Sequence, residues 1–254
     1  MTSNTDNPPV YQEKPSSAKE TTDLITTTSR LATTSRLAGT VRTCSVAERQ
    51  IDYFSIVRVS DSSYHLSLTV DPTPLYRIEL IPEPTKVGNI QIFSMSDPTL
   101  PAVAAAYVSN DLKSKTLPIG TVCTASPTEP DALWRPISRV MGYFSTPMDE
   151  CSSQIPVITV PGRAADYHHF TWRTADSGRV FRLFWEGPPP LVPLELYDFV
   201  IHKADNIFAT VTTQPDGGET IVAMRAGGGI DFELSVILEA FLMFRLMEKK
   251  AKSK

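Results

Sequence analysis

The segment DFELSVILEAFLMFRLMEKK, residues 231 to 250, limits the possible folds of this chain more than any other part of it. Laid on a wheel of about 100° per residue, Val236, Ile237, Leu238, Ala240, Phe241, Leu242, Met243 and Phe244 surround the axis, and only Glu239 interrupts them. A helix that is apolar on every side is buried all round, in protein or in lipid. Lipid suits it poorly. Its longest unbroken apolar run is Ala240 to Phe244, against the roughly 20 residues needed to span a bilayer, and Glu239 and Arg245 are costly in hydrocarbon. The expectation is a helix buried inside its own domain, with Glu239 requiring an internal hydrogen bond, a charge partner or an opening to solvent. Gly227, Gly228 and Gly229 free the chain to turn into it, Asp231 is the candidate N-cap, and Lys249 and Lys250 suit its C-terminal end.

From about residue 51 onward the chain consists of short apolar stretches separated by turn formers. In YHLSLTV, Tyr64, Leu66, Leu68 and Val70 alternate with His65, Ser67 and Thr69, and in LYRIEL, Tyr76, Ile78 and Leu80 face inward while Arg77 and Glu79 face outward. Further strands are expected at 89–94, 103–108, 119–124, 134–145, 154–160, 166–173, 179–185, 194–202, 206–213 and 219–225, roughly a dozen in all. Ala175-Asp176-Ser177-Gly178 reads as a hairpin placing Trp172 near Phe181, and Asp216-Gly217-Gly218 as a second reversal. No helical stretch separates these strands, so the crossovers of a parallel sheet have nowhere to be encoded, and an antiparallel meander is expected.

Residues 1–50 differ in kind: 17 are Ser or Thr, and Tyr11 is the single aromatic. Such a composition cannot offset the entropy of ordering, so a disordered Ser/Thr-rich tail is expected at 1–50 and a folded domain at 51–254. The tail holds a short duplication, TTSRLA at 27–32 and 33–38, too few copies for a repeat fold. Its start lacks the apolar run of a secretory signal, and Thr2 stands where myristoylation requires glycine. Cys44, Cys123 and Cys151 lie too far apart for a zinc ribbon or a disulfide scaffold and read as buried thiols of a reducing compartment. A cytoplasmic location follows, with peripheral membrane attachment as the alternative. The net charge of -4 offers no general attraction to nucleic acid or anionic lipid, so a polyanion site has to be local.

The order of the elements, a dozen antiparallel strands and then one hydrophobic helix, resembles the tubby C-terminal-like superfamily, which includes tubby proteins, phospholipid scramblases, LURP-one-related proteins and a fungal group that looks nearest. DPTPLYRIEL at 71–80, LPIGTVCT at 117–124 and the terminal helix carry the resemblance, which covers roughly 51–254. It implies a mainly β fold, a roughly 12-stranded closed antiparallel barrel around the C-terminal helix. Physics points the same way, because closure removes sheet edges and supplies the helix with an apolar surround. The resemblance does not settle activity: tubby domains bind phosphoinositides, and scramblases are associated with calcium and lipid movement. This chain lacks the cysteine-rich stretch of many scramblases and an acidic calcium loop, so scramblase activity is not carried over.

Motifs for nucleophilic, nucleotide or zinc chemistry are absent from the sequence, and no cofactor is expected. His168 and His169 are neighbours on a strand and so face opposite sides, which denies them a shared metal ion. Arg173, Arg179 and Arg182 cluster around one hairpin and are the candidate anion-binding residues, with Arg135 and Arg139 as additions if the sheet brings them to the same side. Pro8-Pro9-Val10-Tyr11 has the P-P-x-Y form of a WW-domain ligand: the prolines favour an extended conformation, and Tyr11 supplies a large contact. The expected function is a non-enzymatic binding or adaptor protein recruiting a WW-domain partner through Pro8, Pro9 and Tyr11. The alternative is a peripheral protein binding phosphoinositide or another anionic phospholipid, and an enzyme with a site assembled in space ranks third. Neither nucleic-acid binding nor a transmembrane segment is expected.

Overall fold

The computed structural model describes Val46 and residues 49–85, 88–109, 118–140, 150–175, 179–187, 206–214 and 219–252. Along the chain run β1 (Ile51–Arg58), β2 (Ser63–Leu68), β3 (Asp71–Thr85), β4 (Gly88–Ser94), β5 (Ala104–Val108) and β6 (Gly120–Cys123). They are followed by β7 (Arg135–Arg139), β8 (Glu150–Val157), β9 (Asp166–Ala175), β10 (Val180–Trp185), β11 (Ile207–Thr213) and β12 (Glu219–Arg225), and then by the helix α1 (Ile230–Lys252). Each strand pairs antiparallel with the next, and β1 closes on β12 to complete a twelve-stranded barrel. The expected architecture is therefore observed.

Alternation sets the inner face. Leu66, Ile78, Ile92, Ala106, Val122, Ile137, Ile155, Phe170, Leu183, Val211 and Val222 are all at most 1% exposed and enclose α1. The helix is buried on every side, from Phe232 through Val236, Ile237 and Leu238 to Ala240 and Leu242. Gly120, in the LPIGTVCT stretch, lies against it: a methyl group there would collide with Leu242 and with the carbonyl of Tyr107. Arg77 and Glu79 face outward as expected and pair at 3.1 Å.

Several expectations are corrected. β1 is not among the expected strands, because its outward positions Ile51, Tyr53 and Val57 are apolar as well and hide the alternation. The expected strand at 194–202 and the reversal at 216–218 lie outside the described residues. Val70 is 89% exposed in the turn after β2 rather than inward on it. Trp172 opposes Leu183, while Phe181 opposes Thr174, one inward position away. Helix α1 begins one residue before Asp231, and the amide of Glu233 donates to the carbonyl of Gly229 at 3.1 Å. Gly229 has φ +89, and a Cβ on it would lie 2.8 Å from Ile158 Cδ1, so both conformation and space favour glycine there. Asp231 instead sits in the first turn with Glu233, where a negative charge complements the helix dipole. The barrel also takes in Val46, fully buried in its core, whose carbonyl accepts from Arg225 Nη1 at 3.3 Å.

Candidate functional site

Three regions bear on function: a polar network inside the barrel, the arginines of β9 and β10, and a groove on the outside of β1.

Inside, Glu239 is 1% exposed and its Oε2 accepts hydrogen bonds from Trp172 Nε1 at 2.7 Å and Ser153 Oγ at 2.9 Å. The requirement read from the sequence is thus met by donors on β8 and β9. Burial raises the Glu239 carboxyl to about 7, although the Arg135 charge and these two hydrogen bonds act in the opposite direction. Arg135 is itself 7% exposed and faces inward, in phase with Ile137. It donates through Nη1 to the carbonyl of Gln154 at 2.5 Å and through Nη2 to Ser235 Oγ at 2.7 Å. Ser235 passes the chain on to the Asp231 carbonyl at 2.6 Å. The expectation that Arg135 adds to an outer basic face is therefore wrong: its guanidinium ties β7 and β8 to the central helix. The members of this network fix α1 to the wall.

The anion-binding candidates occupy the outer face. Arg173 and Arg182 are directly opposed in the β9–β10 register, and Arg182 also faces Thr210 of β11. Arg182 and Arg179 are exposed, and the Arg179 carbonyl accepts from Thr213 N at 3.0 Å. Arg173 is already engaged: Glu150 Oε1 lies 3.5 Å from its Nε, Glu186 Oε1 lies 3.8 Å from Nη2, and its Cζ stacks 4.8 Å from the Phe184 ring centre. Two carboxylates beside Arg173 reduce the positive potential that the sequence alone suggests. Pro8, Pro9 and Tyr11 lie outside the described residues.

His168 lies against Trp185, ring centres 4.1 Å apart, and burial lowers its pKa, whereas Nε2 of His169 on the other face meets the Gln154 side-chain amide at 3.1 Å. The two imidazoles separate as the alternation requires. Cys123 and Cys151 are buried free thiols, and burial lifts Cys151 to about 12. Cys44 lies outside the described residues. Among the described residues no three His, Cys, Asp or Glu side chains are placed to hold a metal ion, and no helix is long and apolar enough to cross a membrane.

The groove escaped the sequence reading. Its floor is two rows crossing three strands: Val57 of β1 stands between His65 of β2 and Glu219 of β12, and Ser55 stands between Ser67 and Ile221. With Val59, Leu68, Thr69, Pro72 and Pro74 these residues enclose about 560 Å³ open to solvent. Ser55 and Ser67 are 7% exposed, and Ser55 Oγ donates to Glu219 Oε1 at 2.5 Å. Exposed apolar side chains gather on the same side, since Ile51, Tyr53, Val57, Val59 and Val70 all belong to β1 or the two turns beside it. The available signal was the run IDYFSIV, whose outward positions carry more apolar character than solvent contact alone explains.

Comparison with protein-family models, with curated proteins and with solved structures finds no match to this chain.

Proposed function

We propose that this chain is a non-enzymatic binding or adaptor protein, a tubby-like barrel whose N-terminal tail recruits a WW-domain partner through Pro8, Pro9 and Tyr11. The observation that carries this reading is the filled barrel. Small barrels that bind ligands internally do so in an open lumen, but here α1 occupies the interior and its side chains are buried against the wall. Recognition is left to the outer surface and to the tail. The P-P-x-Y sequence supports a short-peptide mode for the tail, with modest affinity because so small an interface buries little area. The barrel around a terminal helix supports the tubby-like assignment, although other barrel and helix folds share the shape.

Calorimetry of the intact chain against a panel of WW domains tests the proposal. Binding is expected, with most of it lost on Tyr11→Ala and no change in the unfolding midpoint. Absence of binding to every domain, or equal binding by Tyr11→Ala, refutes the adaptor reading.

A second reading, attachment to anionic phospholipid, is favoured by the direct opposition of Arg173 and Arg182 with Arg179 close by in sequence. Replacing all three by Gln is expected to weaken sedimentation with phosphoinositide-containing liposomes, and added salt to weaken that of the parent. Failure of the intact protein to sediment at low salt removes this reading.

A further inference from the structure

The groove over β1 has a chemistry of its own. Apart from His65, the one ionisable side chain lining it is Glu219, so among the described residues the lining carries a single negative charge and no Lys or Arg. Ser55 hydrogen-bonds to one oxygen of that carboxylate and holds it against the floor. Around it stand Val57, Val59, Leu68, Ile221, Pro72 and Pro74, which offer nothing to a polar ligand and are stabilised when an apolar body covers them. A fixed carboxylate ringed by aliphatic surface is complementary to a cation on a hydrocarbon stem, and that is the structure of a lysine or arginine side chain.

We propose that this groove receives an extended partner peptide whose lysine or arginine side chain pairs with Glu219 while its aliphatic neighbours cover Val57, Ile221 and Pro72. Charge complementarity selects the cation, and the exposed residues Ile51, Tyr53, Val57 and Val59, on and just after the central strand β1, supply apolar surface for the rest of the segment. The strands beneath are all paired in a closed barrel, so the peptide docks on side chains and not by adding a strand. This inference rests on the reading of the chain as a binding module but not on its tail.

The test uses the intact chain and fluorescence anisotropy with a labelled heptapeptide pool, arginine fixed at the centre and Val, Ile, Leu, Pro and Ser mixed at the flanks. A matched pool carries citrulline, the neutral isostere, in place of arginine. The arginine pool is expected to bind saturably and the citrulline pool about tenfold more weakly, the effect of one charge-assisted contact. Glu219→Gln is expected to bring the arginine pool down to the citrulline level. Val57→Lys, a change at a site 46% exposed and so harmless to folding, is expected to abolish binding by placing a like charge in the groove. Tyr11→Ala leaves the signal unchanged, so failure of the groove and failure of the tail are read separately. Equal binding of the two pools, no binding of either, insensitivity to Glu219→Gln and Val57→Lys, or loss on Tyr11→Ala each overturns the proposal.

Discussion

Replacing Glu239 by Gln tests the interior most directly, because the native carboxyl couples stability to pH with a calculable sign. In the unfolded chain this group ionises near 4.5, and in the barrel it ionises at about 7. Below 4.5 it holds its proton in both states, and above 7 in neither. Between those values the folded state keeps a proton that the unfolded state releases, so stability falls as pH rises through the window. Two and a half units correspond to a loss of about 3 kcal/mol between about pH 4 and about pH 8. The amide introduced by Glu239→Gln has no proton to lose. Its oxygen still accepts from Trp172 and Ser153, and any cost of facing its amino group toward Arg135 is the same at every pH. The assay is urea unfolding of both proteins across this range, read as the difference between their pH profiles, in which other titrating groups cancel. The native protein is expected to lose about 3 kcal/mol that Glu239→Gln does not lose. Profiles parallel within about 0.5 kcal/mol would refute the argument, showing that the carboxyl is hydrated or fully compensated by Arg135.

Phe241 packs its ring on Tyr64 with centres 5.1 Å apart, so Phe241→Asp is expected to cost at least about 3 to 5 kcal/mol in equilibrium unfolding, and a shift under about 0.5 would defeat the central-helix arrangement. Trp172→Phe removes a donor from Glu239 and is expected to cost about 1 to 3 kcal/mol, more above pH 7 than below pH 5, as followed by circular dichroism. At Gly229, alanine meets Ile158 and a left-handed backbone, and a calorimetric loss of about 1 to 2 kcal/mol is expected. Cys151, buried and with its thiol at about 12, is expected to resist alkylation in the native protein at neutral pH while reacting in urea, as checked by peptide mapping.

Sequence by itself determined the two periodicities and what each requires. A helix with Phe241, Leu242 and Val236 around its axis needs an enclosing wall, strands such as LYRIEL have one face to offer, and meandering connections make the wall antiparallel. It also determined that Glu239 needs partners and that His168 and His169 face opposite ways. Period two assigns a face, however, and names no neighbour. The donors to Glu239 come from positions 67 and 86 residues away and are supplied only when α1 packs against β8 and β9, while Ser55 meets Glu219 across 164 residues only because β1 closes onto β12. Arg135 was in phase with Ile137 all along, but placing a guanidinium in the interior is unfavourable until the carbonyl of Gln154 and the hydroxyl of Ser235 are there to receive it. β1 was illegible for the opposite reason: apolar residues on both of its faces erase the alternation, and the outward ones border a groove that exists only because β12, distant in sequence, closes beside β1 and β2.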